Sequence, residues 1–260
     1  MAHYIEETMI HTRELAALSL TFLLAGGGLP AHAEFRVDSP IVEEGEVEVE
    51  HAGSISTDPK KDKSNAQSFV TAVGYGVTSH WFTEIEGEWS RDAGDGNDRH
   101  FDVLTWKNRF QFFPQGEKWL DVGLLAEYGA AGQRGDADRV KFGPLLQKDF
   151  GPVTTTVNLL LEKEIGANAT GGAEFTYATQ VRWDLYDMFS PALEVYGDLG
   201  EINSTHSLGN QEHRMGPVAT GKFSFGELGE LKYEAGYLRG LTNATSNNTY
   251  KWLLEYEHAL

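Results

Sequence analysis

The chain of 260 residues contains no cysteine. That excludes a disulfide framework, a thiolate metal site and a cysteine nucleophile, and it suits a protein that leaves the reducing cytoplasm. After the first few dozen residues there is no apolar run long enough for a spanning helix. Bases are scarce: 21 Lys and Arg stand against 39 Asp and Glu, a formal charge of −18. A surface of that sign repels nucleic acid, so none is expected as a partner. His-Glu-x-x-His, Cys-x-x-Cys, phosphate-loop and G-x-S-x-G patterns are all missing. No enzyme is indicated, and neither a cofactor nor a metal is expected.

What is present begins with a targeting segment. Arg13 precedes an apolar stretch from Leu15 to Leu24, then a glycine break at Gly26–Gly28, then Ala31-His32-Ala33, with small residues at the positions a signal peptidase reads. Residues 1–33 read as a cleaved signal peptide. Glu6 and Glu7 are out of place ahead of Arg13, which makes Met9 an alternative start. Residues 34–43 follow as a periplasmic segment, and 44–260 as the folded domain.

That domain shows period-two alternation and no helical period. Phe175, Tyr177, Thr179, Val181, Trp183 and Leu185 alternate with Glu174, Thr176, Ala178, Gln180, Arg182 and Asp184. Trp81, Thr83, Ile85 and Trp89 alternate with Glu84, Glu86 and Glu88, and the C-terminal Tyr250, Trp252, Leu254, Tyr256 and His258 with Lys251, Glu255 and Glu257. Segments of about ten residues suit tilted strands across a bilayer, whereas sandwich strands run nearer five or six. Long polar connections at 53–66, 90–100, 129–138, 164–172, 201–212 and 240–249 interleave with short ones at 78–80, 114–117, 151–152, 187–191 and 226–229. Aromatics such as Phe82, Phe112, Trp119, Phe150 and Phe225 gather beside the short turns, and Trp89, Phe101, Tyr128 and Tyr237 beside the long loops. Two aromatic girdles and alternating loop lengths predict an all-β fold, a closed antiparallel up-and-down transmembrane barrel of about twelve strands with both termini on the short-turn side.

With the apolar set facing lipid, the other set lines a lumen. The expected lining residues are Glu46, Glu48, Glu50, Glu84, Glu86, Glu88, Lys107, Arg109, Lys141, Arg182, Glu255 and Glu257. Hairpin pairing is expected to bring Arg109 near Asp121 and Lys141 near Glu162. An acidic excess implies weak cation preference if the lumen conducts. The same charges, or the segment 34–44, are alternatives that would close it. The expected role is a narrow channel for small solutes. A non-conducting barrel that binds partners through its loops, and a membrane hydrolase with a serine–histidine pair, are the other readings.

Two further features imply partners. Lys60, Lys61 and Lys63 offer charge to lipopolysaccharide phosphates, and the apolar face meets the bilayer. The final strand is similar to the C-terminal signal read by the outer-membrane insertion machinery, although it ends in Leu260 where an aromatic is usual. His206 and His213 flank one loop as a loose metal pair, and 92–98 is a carboxylate-rich loop whose spacing does not fit an EF-hand.

Residues 39–50 (SPIVEEGEVEVE) are similar to the opening strand of small Gram-negative outer-membrane proteins of a transport-related group. Gly74-Tyr75-Gly76-Val77-Thr78 and the turn and strand that follow resemble a hairpin recurring in that group, which includes proteins labelled for the meta-pathway of phenol degradation. The resemblance implies an outer-membrane barrel with an uptake role. It transfers no ligand and no site residue.

Overall fold

A computed structural model of the chain describes residues 35–94, 98–204 and 207–260. The expected signal peptide 1–33, with Met9, lies outside the described residues, as do His206 and the centre of the acidic loop at 95–97.

Alternating sequence becomes twelve strands: β1 (Glu46–Thr57), β2 (Gln67–Thr78), β3 (Trp81–Arg91), β4 (His100–Gln111), β5 (Asp121–Ala131), β6 (Asp138–Phe150), β7 (Val153–Ile165), β8 (Glu174–Trp183), β9 (Ser190–Glu201), β10 (Glu212–Ser224), β11 (Glu230–Gly240) and β12 (Asn248–Ala259). Each pairs antiparallel with the next, and β12 returns to β1 from Glu46↔Ala259 to Thr57↔Asn248, so the sheet closes on itself. Closure leaves no edge to template aggregation. Strand lengths run from 10 residues in β8 to 13 in β6.

The burial pattern inverts the usual rule that apolar side chains go inside. On β3, Ile85 is 51% exposed and Glu86 1%. Val49, Val73, Leu104, Trp106, Phe142, Leu193 and Leu254 all face outward, while Glu48, Glu50, Glu84, Glu88, Lys107, Gln147, Glu194 and Lys251 are buried within. A period-two register permits this because one residue of slip would exchange the two faces entirely. Outward aromatics cluster toward both rims: Phe112, Phe113, Trp119, Phe150, Tyr186 and Phe225 on one, and Trp89, Phe101, Tyr128, Tyr237 and Tyr250 on the other. Phe82, expected in the first girdle, instead points inward, is buried, and lies under the Arg109 guanidinium at 4.2 Å.

Strands extend further toward the long loops than expected. β1 runs to Thr57 and β5 to Ala131: Ser56 and Thr57 keep pairing with β12, and Ala130 and Ala131 with β4. The connection at 112–120 is longer than its 114–117 turn suggested. On the long-loop side, Asp58 accepts the backbone N–H groups of Lys60 and Asn247, each at 2.8 Å, tying the β1–β2 loop to the β11–β12 loop. Those N–H donors, that of Lys60 foremost, hold the Asp58 carboxyl below its usual range. Lys63 Nζ donates to the Asn243 carbonyl across the same junction.

Two Gly-Pro steps interrupt the ladder. β6–β7 pairing skips from Phe142↔Leu161 to Leu145↔Asn158 at Gly143-Pro144, and β10–β11 from Met215↔Arg239 to Val218↔Gly236 at Gly216-Pro217. Proline has no N–H to give, and a side chain at either glycine would meet the neighbouring strand's backbone at Leu159 or Tyr237.

Candidate functional site

The lumen is the only large polar interior among the described residues, and it is occupied. The stretch 34–43, expected as a periplasmic segment and, over 34–44, as one alternative for closing the lumen, lies from Phe35 onward inside the barrel and forms a plug. Its path is set from the short-turn end. Gly45 N–H donates to the Gly76 carbonyl (2.8 Å) and Leu260 N–H to the Gly45 carbonyl (2.9 Å), anchoring the chain beside β1. From there it climbs the interior in extended form. A Cβ on Gly76 would run into the Glu43 carbonyl, and one on Gly123 would lie 2.9 Å from Pro40 Cβ, so two glycines make room for the ascent.

Polar side chains on successive strands hold the plug backbone. Gln111 Oε1 accepts the Val42 N–H at 2.8 Å. Gln147 Oε1 accepts from Ser39 Oγ at 3.0 Å. Asn158 does both jobs: its Oδ1 accepts the Asp38 N–H and its Nδ2 donates to the Asp38 carbonyl, each at 2.8 Å. An extended segment has unpaired backbone groups, and this largely buried amide satisfies two of them.

Charge fixes the side chains. Arg36 Nη1 lies 2.6 Å from Glu50 Oε1 and Nη2 2.7 Å from Glu86 Oε1. Asp38 takes Lys107 at 2.7 Å, and Lys107 also reaches Glu86 at 3.2 Å. At the top, Phe35 packs edge-on against Tyr196 with centroids 5.3 Å apart, beside Ala178 and Leu238, and Arg214 covers its ring at 4.6 Å.

The rest of the inner wall is paired across strands. Arg109 sits on Glu48 at 3.1 Å, and not near Asp121: the β4–β5 register sets Arg109 opposite Leu125, which leaves Asp121 nearer the rim. Lys141 meets Glu162 at 3.1 Å, as the hairpin suggested, and Glu127 at 3.4 Å. Arg139 meets Glu88 at 3.2 Å. Lys232 contacts Glu255 at 3.4 Å and also Glu257. Arg182 pairs with Asp184 at the rim. Glu46, Glu48 and Glu257 come together at the short-turn end. Lys251 is completely enclosed, with Glu194 at 2.9 Å, Glu234 at 2.8 Å and the Tyr196 hydroxyl at 3.2 Å. Buried pairs of this kind persist through charge-assisted hydrogen bonds, since each ion has given up its hydration.

The inward-facing residues that sequence reasoning did not name are Arg36, Asp38, Asn158, Gln111, Gln147 and Glu194. The first two precede the first strand, where alternation has nothing to say. The amides and Glu194 sit at inward positions of β4, β6, β7 and β9, so register counting alone would have found them.

A serine–histidine pair is present at the long-loop end. Ser90 Oγ is 3.2 Å from His100 Nε2, but Asp102 Oδ1 approaches the same nitrogen (3.9 Å), and Ser90 is buried. A hydrolytic triad needs the acid on the opposite ring nitrogen and an accessible hydroxyl, so this constellation does not make one. His213 spends both ring nitrogens on Tyr177 and Gln211.

Fold and lining together define a closed twelve-strand antiparallel barrel with an apolar exterior and a charged, plugged interior. The chain matches no protein-family model and no curated protein. Among solved structures it is similar to an outer-membrane channel from Pseudomonas putida F1 (15% identity, TM-score 0.57, covering 84% of this chain and 97% of that one). It is also similar to the NanC porin (10%, 0.53, 82% and 100%) and to the translocator domain of the autotransporter NalP from Neisseria meningitidis (12%, 0.51, 98% and 96%). At these identities the likeness is one of fold.

Proposed function

We propose that this chain is an outer-membrane barrel whose lumen is a narrow channel for small solutes, closed at rest by residues 35–42. The observation that carries the reading is the plug. Part of the wall pairs with itself, but Glu50, Glu86, Lys107, Gln111, Gln147 and Asn158 are turned to a separate, extended segment, which they hold through side-chain amides and ion pairs. An element held this way can leave without unfolding the sheet. The apolar exterior, the paired aromatic rims and the barrel likeness support placement in the outer membrane. Export through a cleaved signal at 1–33, insertion through the C-terminal strand and contact with lipopolysaccharide belong to the same proposal, as does kinship with the transport-related group. Plug exit removes Arg36 and Asp38 together and leaves Glu50, Glu84 and Glu86 facing the single Lys107, so the open lumen prefers cations weakly.

The test is planar-bilayer recording of the full chain and of a variant lacking residues 35–42. The deletion should conduct in large excess over the intact protein and favour potassium over chloride. A deletion variant that folds, shown by a heat-dependent shift on SDS gels, and still passes no current favours the non-conducting, partner-binding reading.

A further inference from the structure

We propose that the carboxylates of Glu50, Glu84 and Glu86, with Lys107, form a binding site for a small guanidino carboxylate, and that Arg36 and Asp38 of the plug occupy it as an internal stand-in. The inference rests on the channel reading above and names the solute class that reading leaves open.

The site is built by register. Glu50, Ala72 and Glu86 lie opposite one another across β1, β2 and β3, and Glu48, Gly74 and Glu84 form the next inward row. The middle strand thus carries the two smallest residues between two rows of carboxylates. Strands about 4.8 Å apart put the outer two about 10 Å apart, a slot floored by Ala72 and Gly74 with acids on both walls. The Phe82 ring lies over Gly74, where a Cβ would meet it, and closes that end of the slot, leaving Ala72 as its open floor.

A planar guanidinium matches this slot. Its two terminal nitrogens point in different directions, and Arg36 uses one on each wall, Nη1 on Glu50 and Nη2 on Glu86. An ammonium is a point donor and spans less. The site also keeps capacity that Arg36 leaves unused. Glu84 Oε1 is buried and accepts no hydrogen bond, with Arg36 Nη1 and Lys107 Nζ each 3.9 Å away. A free guanidinium, not tethered to the plug backbone, can settle toward it.

Lys107 completes the pattern. It would otherwise neutralise Glu86, and the plug supplies Asp38 to engage it at 2.7 Å. The plug therefore presents a cation and an anion close together to a site with matching charges in the same order. A molecule bearing both groups on a short chain satisfies the same contacts and competes with the plug for them.

Isothermal titration of the full chain in detergent with 4-guanidinobutyrate tests this, with 4-aminobutyrate as the ammonium control. The intact protein should bind weakly. Arg36→Gln should bind 4-guanidinobutyrate at least tenfold more tightly, because the internal competitor is gone, and Glu86→Gln added to it should reverse the gain. Equal affinity of Arg36→Gln and the intact chain, or equal affinity for the ammonium control, would overturn the assignment. A second readout avoids mutating the site. The chain has no native cysteine, so Val37→Cys gives a clean maleimide target on the plug. Its labelling should accelerate with 4-guanidinobutyrate and not with 4-aminobutyrate; no acceleration refutes the competition. Binding without current in the bilayer would defeat the channel reading and leave the site standing, whereas current without binding would do the reverse.

Discussion

Asn158→Ala isolates the plug from the barrel. Asn158 is 1% exposed, and its amide bonds only to the Asp38 backbone, with Oδ1 accepting and Nδ2 donating at 2.8 Å each. Removing the amide takes nothing from the strand ladder, which is backbone to backbone. It leaves the Asp38 N–H and carbonyl without their protein partners in a largely buried setting. An unsatisfied buried group costs about 1–3 kcal/mol, so two of them penalise the seated plug by about 2–4 kcal/mol after allowance for partial relaxation. At about 1.4 kcal/mol per decade, the released fraction should rise about 30- to 700-fold. The assay is maleimide labelling of Val37→Cys, in the presence and absence of Asn158→Ala, with the SDS-gel heat shift as the control for barrel integrity. Faster labelling with an unchanged shift temperature is expected. Unchanged labelling in an intact barrel would show that the plug is not held as argued, and a lost heat shift would show that Asn158 supports the barrel itself.

Other consequences concern the wall, the plug seat and the loops. Lys251→Met strands Glu194 and Glu234 in a buried setting and should destabilise the barrel by about 3–5 kcal/mol, read as a lower heat-shift temperature; adding Glu194→Gln and Glu234→Gln should recover most of it. Gly76→Leu places a side chain where the Glu43 carbonyl lies, so the plug should be expelled and conductance should rise in a bilayer recording without loss of the β2–β3 pairing. The Asp58 carboxyl is held below its usual range by the loop N–H groups. Its contribution is present above the unfolded value near 3.8 and fades only as pH falls through the lower folded value. Protease resistance of the 58–66 and 241–247 loops should therefore persist to below pH 4, and Asp58→Ala should remove that resistance at neutral pH.

Much of this architecture is legible in the sequence because a barrel wall obeys a single period. The alternation of Trp81, Thr83 and Ile85 with Glu84, Glu86 and Glu88 names both faces at once, and closure then dictates that β12 lies beside β1. Hairpin contacts follow where both strands and their turn are regular, as for Lys141 and Glu162. They fail where a connection is longer than it reads: with 112–120 outside the strands, Arg109 moves away from Asp121 and reaches over Phe82 of β3 to Glu48 of β1. Phe82 misleads for a related reason. Aromatic character at a strand end suggests a girdle, but its parity with Glu84 puts it inside. The plug is the least legible part. Phe35 to Val42 has no secondary structure of its own, and its partners are Glu50, Glu86, Lys107, Asn158 and Arg214, scattered over β1, β3, β4, β7 and β10. No local pattern encodes such a set; only the closed barrel brings it together.

The central claim is that the charged lumen is a conduit and residues 35–42 its stopper. Single-channel recording of the chain lacking 35–42, alongside the intact chain in the same lipid and salt, tests it most directly. The deletion should show long, cation-preferring openings, and the intact protein a closed baseline. A folded deletion variant that stays electrically silent, or an intact chain that conducts equally well, would contradict it.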